Sequence, residues 1–303
     1  MPPGRGANGS RQEAAVAPPP EVAAALRRLG FEPVDARLVS PLGASKGRRC
    51  AWRVEDASGA VAKVRLFEDP DAAARVCRLR QGREPAFSAV SGRDGAVVLE
   101  EWVDGRPLSA AEASDALPWA AALLARLHAV SPPTGEAAMV DASPWRDGAR
   151  ADLERFASDG LLPRTEADRA ARLLACLAPG RTRAVVAHLD LCPENLVVDR
   201  RGDLHVVDNE MLAVRPPGLD LARSFHLWPM DEPAWRRFLE AYRVAGGSAD
   251  DLDFWRLVAL ALGGRIFLER SPARRDDAIR SLLALSRRLE APSDRAAHPS
   301  AGA

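Results

Sequence analysis

The side chains best suited to chemistry in this sequence lie between His188 and Asp208. The run from His188 to Asn195 has the form H-x-D-L-x-x-x-N, and Asp208 closes the next apolar run. A carboxylate such as Asp190 can orient an acceptor hydroxyl, while the oxygens of Asn195 and Asp208 are hard ligands of the kind that Mg²⁺ prefers. Phosphoryl transfer depends mostly on positioning and charge neutralisation. These residue types, in this order, therefore predict a phosphoryl-transfer site.

A second chemistry uses some of the same residues. His188, Asp190, Cys192 and Asp208 would form a zinc or hydrolase centre with mixed ligands. That centre needs ligands on alternating positions of a loop and leaves Asn195 without a role. Phosphoryl transfer gives Asn195 a role as well as Asp190 and Asp208, so it explains more residues of the motif.

Lysine is scarce enough to draw attention to its two positions. The chain has 42 lysine and arginine residues, and only Lys46 and Lys63 are lysine. A lysine ammonium is a compact charge, unlike the planar arginine fork. Lys63 lies in an apolar strand-like run, where a phosphate contact is favoured over a solvent-facing position. Lys46 and Ser45 lie in the loop 43–47, where we assign Ser45 to nucleotide binding and Lys46 is either a nucleotide contact or simply solvated.

Composition excludes several classes of protein. The 303 residues contain 42 basic and 42 acidic side chains, which argues against a large basic face for nucleic acid or an anionic membrane. No apolar run approaches the length of a membrane span, and the amino terminus lacks a signal-peptide pattern. The four cysteines form no C-x-x-C pair, which is typical of free thiols in a reducing cytoplasm. We therefore expect a cytoplasmic protein that binds neither nucleic acid nor membrane.

Periodicity predicts two domains between two tails. Residues 1–19 and 291–303 are expected to be a disordered amino-terminal tail and a frayed carboxy-terminal tail. Residues 20–104 show a short helix and then the order β-β-β-α-β-β, with Asp94-Gly95 as a hairpin turn. From residue 105 to 290 the pattern is mainly helical, with a helix predicted at 116–130, strands around the catalytic motif and an irregular stretch at 131–147.

These features together resemble the aminoglycoside phosphotransferase and choline kinase-like superfamily. The likeness includes Leu127-His128 and the run from Gly218 to Ala222, besides the H-x-D-L-x-x-x-N motif. The resemblance implies an α+β, bilobal protein-kinase-like fold, with a small antiparallel N-lobe sheet and a mainly helical C-lobe. It also implies transfer of the γ-phosphoryl group of ATP or GTP, with Mg²⁺, to a hydroxyl of a small acceptor such as an antibiotic, an amino alcohol or a sugar.

The resemblance also assigns roles to individual residues. Asp190 would be the catalytic base, Asn195 and Asp208 the magnesium ligands, Lys63 the phosphate-binding lysine, and Glu101 and Val103 the hinge residues whose backbone meets the nucleotide base. These roles are what the resemblance implies.

The sequence departs from the family pattern at three places that bear on activity, and at one of them the glycine loop is reduced to Gly43 and Gly47. Asn209 follows the metal-binding aspartate, where the family often has an aromatic residue. The predicted helix at 71–81 has no interior glutamate to pair with Lys63, which leaves Asp71 and Glu68 as the acidic candidates on that side. A nucleotide-binding protein without turnover is therefore the alternative. The acceptor, the choice of ATP or GTP and the oligomeric state stay open.

The carboxylates after residue 230 allow two interpretations. They would form either an acidic pocket for a cationic acceptor or an ordinary solvated surface, and they are Asp231, Glu232, Asp250, Asp251 and Asp253.

Overall fold

A computed structural model describes residues 17–39, 50–80, 87–109, 111–228, 230–268 and 271–290. The described chain forms two compact units. The first lies within Met1–Leu108 and Leu196–Glu210, and the second within Ser109–Asn195 and Met211–Ala303. The chain thus leaves the first unit, returns to it once, and leaves it again.

The described residues contain nine α-helices and twelve short strands. The helices are α1 (Pro20–Arg28), α2 (Pro70–Arg80), α3 (Leu117–Ala129), α4 (Ser143–Ser158), α5 (Arg164–Leu177), α6 (Pro217–Leu227), α7 (Glu232–Val244), α8 (Leu252–Phe267) and α9 (Pro272–Glu290). The strands are β1 (Pro33–Leu38), β2 (Cys50–Asp56), β3 (Val61–Leu66), β4 (Val90–Asp94), β5 (Val97–Glu101), β6 (Gly105–Pro107), β7 (Met139–Asp141), β8 (Arg181–Arg183), β9 (Val185–Ala187), β10 (Leu196–Asp199), β11 (Leu204–Val206) and β12 (Ala213–Arg215).

The first unit is built on a five-stranded antiparallel sheet in the order β1-β2-β3-β5-β4. Successive residues of a strand point to opposite faces. Ala62 and Val64 of β3 join an apolar cluster with Val22 and Leu26 of α1. The alternation therefore places Lys63 and Arg65 together on the other face of the sheet. Residue spacing alone puts two cations side by side.

The returning segment pairs with the first unit through a second small sheet, in the order β11-β10-β6. Gly105 is needed where β6 meets β10, because a Cβ there would lie 2.3 Å from the carbonyl oxygen of Val198. An isolated bridge also joins Phe87 to Val206, at the end of β11. These contacts fix the start of the loop that carries Asp208.

The second unit is mainly helical, and its core lies between α4, α5, α8 and α9. Phe156, Phe254 and Trp255 are fully buried there, with the edge of Trp255 against both Phe254 and Trp145. The β9 strand pairs with β12, and β7 pairs with β8. The catalytic motif follows β9 directly, so the end of a buried strand sets its starting point.

Most predicted elements are confirmed. The order β-β-β-α-β-β, the hairpin turn at Asp94-Gly95 and the long helix predicted at 116–130 are all present. The prediction of an irregular stretch at 131–147 is confirmed for 131–138 and was wrong for the rest, which contains β7 and the first turn of α4. Pro144 occupies that first turn, where its missing N–H costs nothing.

Some predictions fall outside the described residues, and the domain boundaries stay a prediction. Outside the described residues lie the predictions for the glycine loop 43–47, for residues 1–16 of the amino-terminal tail and for the carboxy-terminal tail 291–303. The predicted boundary at 104/105 lies near the observed division after Leu108, and the structure groups Leu196–Glu210 with the first unit. None of the described helices is both long enough and apolar enough to cross a membrane.

Candidate active site

Four charged side chains meet in the first unit. Arg65 forms an ion pair with Asp208, and its NH1 lies 3.0 Å from Oε2 of Glu210. The Nζ atom of Lys63 lies 3.5 Å from Oδ1 of Asp208 and donates a hydrogen bond to the carbonyl of Val207. The predicted metal ligand Asp208 is thus beside the predicted phosphate-binding residue Lys63, with Arg65 as a second cation.

Burial and charge act against each other in this cluster. Burial works to raise the pKa of Asp208, yet the charges of Arg65 and Lys63 hold it well below its usual range. Burial raises the pKa of Glu210 above its usual range, against the opposing effect of Arg65. Burial and the neighbouring Arg65 lower the pKa of Lys63. The pKa shifts of the two carboxylates are therefore opposite, and Asp208 is the one of the pair that stays ionised at neutral pH.

The acidic partner of Lys63 comes from a strand. Oε2 of Glu100, on β5, lies 4.0 Å from Nζ of Lys63. The expectation that Asp71 or Glu68 would supply the partner is thereby corrected, since Lys63 has Glu100 and Asp208 beside it and Asp71 lies exposed in the first turn of α2. The pairing of β3 with β5 places Lys63 opposite Glu100, and a search confined to the predicted helix could not find this partner.

The second unit holds the catalytic motif in a defined geometry. The side chain of Asp190 is 31% exposed. Its Oδ2 accepts a hydrogen bond of 3.0 Å from Nδ2 of Asn195, and its Oδ1 lies 3.8 Å from NH2 of Arg223. Arg223 also donates from Nε to the carbonyl of Leu189. Asp190 is thus held from two sides and still reaches solvent.

Asp220, in the first turn of α6, anchors the loop that begins at His188. Its carboxylate accepts hydrogen bonds from the backbone N–H groups of His188 and Leu189, at 2.6 and 2.7 Å. It also shares a hydrogen bond of 3.0 Å with Nε2 of His128, whose Nδ1 contacts the hydroxyl of Tyr242. Burial opposes the charge of Asp220, but these hydrogen bonds lower its pKa. Asp220 is therefore a buried anion that shapes the loop.

The backbone of Leu189 is left-handed, with φ 65°. Non-glycine residues rarely adopt this conformation, and it costs about 1–2 kcal/mol for an L-residue. The hydrogen bonds that the N–H groups of His188 and Leu189 donate to Asp220 hold the strained turn that presents Asp190. His188 is buried, and its Nδ1 accepts from the N–H of Asp190 at 3.2 Å, so it braces the loop as well.

The structure does not favour the zinc alternative. Burial, aided by the charge of Asp190, raises the pKa of the Cys192 thiol, whereas zinc binds the thiolate. Within the described ranges, no three or more His, Cys, Asp or Glu side chains are grouped so as to hold a metal ion.

The residues present do fit Mg²⁺. Nδ2 of Asn195 donates to the carbonyl and carboxylate of Asp190, so its carbonyl oxygen is the atom it can offer to a metal. Asp208 adds a carboxylate that stays ionised. Amide and carboxylate oxygens form the hard donor set that Mg²⁺ prefers.

Two of the three remaining predicted site residues, Glu101 and Val103, lie at or near the end of β5. Glu101 is the last residue of β5, and its N–H donates to the carbonyl of Ala89 at 2.8 Å. Val103 lies half-buried in the irregular segment that follows. Ser45 lies outside the described residues. The nucleotide-binding roles of all three stay predictions.

Comparison with known proteins identifies the family. The model of the phosphotransferase enzyme family, APH, matches residues 51–258, which is more than half of the chain. The chain belongs to this family. Membership confirms the resemblance drawn from the catalytic motif, and it makes the protein a phosphotransferase of the small-molecule kinase type. No curated protein matches the sequence.

Solved structures of several phosphotransferases and kinases share the fold at low identity. The chain is similar to a macrolide 2'-phosphotransferase type I, with 17% identity, a TM-score of 0.62, and 86% of this chain and 95% of that one covered. A choline kinase from Cryptosporidium parvum matches at 13% identity and a TM-score of 0.59, covering 84% and 89%. An aminoglycoside-3'-phosphotransferase of type VIII matches at 23% and 0.52, covering 79% and 98%. The α+β protein-kinase-like fold class is confirmed.

Sequence reasoning missed four residues of these clusters. Arg65 shares a strand face with Lys63, so the i, i+2 spacing could have indicated it. Arg223 lies one turn after Asp220 in α6, a position that the D-L-A run could have drawn attention to. Glu100 lies beside Lys63, and NH1 of Arg80 lies 2.5 Å from Oε1 of Glu100. Neither residue carries a local signal, because these contacts join residues that are far apart in the sequence.

Two of the acidic residues after 230, Asp231 and Glu232, make contacts within or between helices. Asp231 caps α7 by accepting from the N–H of Ala234. Glu232 pairs with Arg256 and Arg288. These contacts favour structural roles for both carboxylates.

Proposed function

We propose that this phosphotransferase is a Mg²⁺-dependent kinase that transfers the γ-phosphoryl group of ATP or GTP to a hydroxyl of a small molecule. The observation that carries the proposal is the geometry of Asp190. Its carboxylate is partly exposed, receives a hydrogen bond from Asn195, and lies near Arg223 in a loop anchored by Asp220.

Asp190 is the residue that meets the acceptor. Its carboxylate accepts a hydrogen bond from the acceptor hydroxyl, orients it, and takes its proton as the phosphoryl group is transferred. The hydrogen bond from Asn195 and the charge of Arg223 fix the orientation of the carboxylate. A fixed base reduces the reorganisation needed during the reaction.

The first unit supplies the charges for the nucleotide. Lys63 and Arg65 lie on one face of β3 and provide two cations for the phosphate oxygens. Asn195 and Asp208 are the residues that would hold Mg²⁺. When bound, the metal neutralises charge on the phosphate oxygens.

The acceptor is a hydroxyl compound of one of the classes that appear in the names of the structural relatives. These relatives are a macrolide phosphotransferase, an aminoglycoside phosphotransferase, choline and ethanolamine kinases, and a putative fructosamine-3-kinase. We therefore place antibiotics, amino alcohols and sugar derivatives first among the acceptors to test.

The alternative of nucleotide binding without turnover was based on the missing helix glutamate and on a glycine loop reduced to Gly43 and Gly47. Glu100 provides a carboxylate beside Lys63, so the first of these two arguments no longer holds. The glycine loop lies outside the described residues, and the binding-only alternative is an outcome of the turnover experiment.

The proposal is tested by nucleotide turnover. The protein is incubated with Mg·ATP or Mg·GTP and pools of aminoglycosides, macrolides, amino alcohols and sugars, and phosphorylated products are detected by mass spectrometry. We expect one pool to be phosphorylated, and Asp190→Asn to lower the rate by about 10²–10⁴-fold. Asp168→Asn, at an exposed position on α5, is the control.

Two results would count against the proposal. Turnover that persists in Asp190→Asn would remove the assigned base. Nucleotide binding with no phosphorylated product from any pool would favour the binding-only alternative.

A further inference from the structure

Glu100 is a buried carboxylate that faces a cation at each of its oxygens. It is 2% exposed. Its Oε1 lies 2.5 Å from NH1 of Arg80, and its Oε2 lies 4.0 Å from Nζ of Lys63. Lys63 of β3 stands directly opposite Glu100 of β5 in the ladder, and opposed residues point to the same face. Strand pairing alone therefore aims Glu100 at Lys63.

Arg80, the last residue of α2, is fixed at several points. It is buried, and its NH2 donates to both the carbonyl and the hydroxyl of Ser88, the latter at 3.0 Å. Its NH1 donates to Glu100. Because the guanidinium is held by Ser88 as well as by the carboxylate, it fixes the rotation of the Glu100 side chain.

The two oxygens of Glu100 have different tasks. Oε1 receives the strong, charge-assisted hydrogen bond from Arg80. Oε2 accepts no hydrogen bond within the described part of the chain, and the ammonium of Lys63 faces it across 4.0 Å. A carboxylate anchored through one oxygen thus keeps its other oxygen directed at the lysine.

We propose that Glu100 is the positioning residue for Lys63 and that Arg80 acts through Glu100. The helix α2 then contributes a cation to this part of the site, and the sheet contributes the carboxylate. The inference rests on the proposed function, in which Lys63 binds nucleotide phosphates. A lysine has a flexible four-carbon stem, so a fixed counter-charge is needed to hold its ammonium where the phosphates bind.

A purely structural pair between Arg80 and Glu100 predicts a different result. Such a pair would fasten α2 to the sheet, and its loss would lower stability without a specific effect on the nucleotide. The Kd for Mg·ATP or Mg·GTP, whichever binds more tightly, is therefore measured by titration calorimetry, and unfolding by urea separately.

The variants follow the order of the contacts. We expect Glu100→Gln to weaken nucleotide binding about tenfold, and Arg80→Met to weaken it several-fold. Because Arg80 acts through Glu100, the double variant should bind as Glu100→Gln does. In a Lys63→Met background, Glu100→Gln should have no further effect on Kd, since the residue that it positions is gone.

The chain offers a matched control pair. Arg28 of α1 pairs with Asp94 of β4 at 2.6 Å, which is again a helix arginine with a strand carboxylate, but at the surface. Arg28→Met and Asp94→Asn should leave Kd unchanged.

The outcomes separate the inference from the proposed function. If the wild type binds the nucleotide and Glu100→Gln binds equally well, the inference is overturned and the proposed function stands. An equal loss of affinity from Glu100→Gln with and without Lys63 also overturns it. Should Glu100→Gln fail to fold with Arg80 left unpaired, the neutral double variant decides instead, and wild-type affinity there overturns the inference. A wild type that binds neither nucleotide overturns both.

Discussion

At the scale of single residues, the strained backbone of Leu189 predicts that glycine is a more stable replacement there than alanine, which reverses the usual order of the two residues. Leu189 and Leu191 are both buried and flank Asp190, but Leu189 has a positive φ. Truncation of either leucine loses packing. At Leu189, however, glycine removes the left-handed strain that alanine retains. We expect Leu189→Gly to be more stable than Leu189→Ala by about 1 kcal/mol in urea unfolding.

Leu191 is the matched control for this comparison. Its φ is not positive, so alanine should be the more stable replacement there by about 0.5–1 kcal/mol. The same order of glycine and alanine at both positions would mean that Leu189 carries no strain.

The residue scale also shows where sequence reasoning succeeds. The motif predicted Asp190 and Asn195 as neighbours, and the structure joins them by a hydrogen bond because they lie in one short loop. The sequence also led to Lys63 as a candidate, but not to its partner. Glu100 becomes its neighbour only through the register of β3 and β5, and a single sequence does not determine which strands pair.

At the scale of elements, the placement of α6 depends on a glycine. A Cβ at Gly218 would lie 2.2 Å from Cδ1 of Trp255 in α8, and α6 carries both Asp220 and Arg223. We expect Gly218→Ala to lower the free energy of unfolding by about 1–3 kcal/mol, since one element must shift. Any shift of α6 also moves Asp220. The turnover rate should therefore fall by more than the loss of folded protein accounts for.

Gly148 provides the control for α6. It is an exposed glycine inside α4, and a Cβ there would meet no atom within 4 Å. Gly148→Ala should therefore raise stability, by about 0.5–1 kcal/mol, because alanine is the better helix former. Urea unfolding of the two variants should give changes of opposite sign, and equal signs would refute the packing argument.

The elements that sequence patterns missed share a physical reason. The strands β6, β7, β8 and β12 have three residues each. Three residues are too few to show the alternation that identifies a strand, and each of these strands is defined by a partner far away in the sequence. The equally short β9 and β11 were predicted because they lie in apolar runs around the catalytic motif. Longer elements such as α3 and β3 carry their own periodicity and were predicted.

At the scale of the whole molecule, His226 links stability to pH. Burial, together with Arg223 and Arg274, lowers the pKa of His226 to about 4, while Asp277 acts to raise it. Between about pH 6.5 and pH 4, the imidazole of His226 is therefore protonated in the unfolded chain, where its pKa is that of an ordinary histidine, and neutral in the folded chain. Stability is greatest above this window and falls as the pH falls through it.

The expected size is measurable by urea unfolding. This histidine should reduce the free energy of unfolding by about 1 kcal/mol between pH 7 and pH 5.5. His226→Gln should remove that part of the fall, and the control His205→Gln should retain it. An unchanged pH dependence in His226→Gln would show that this imidazole does not titrate differently on folding.

The returning segment has a consequence for how such genes can recombine. Leu196–Glu210 pairs with β6 and brings Asp208 to Arg65, although it is encoded far from both. A single crossover after Leu108 would join the five-stranded sheet of one parent to the Leu196–Glu210 segment of the other. The ion pair between Arg65 and Asp208 would then have to form between residues from two different parents. A mosaic that keeps each unit from one parent needs three junctions, after residues 108, 195 and 210. The order of the units along the gene thus favours inheritance of this enzyme as a whole.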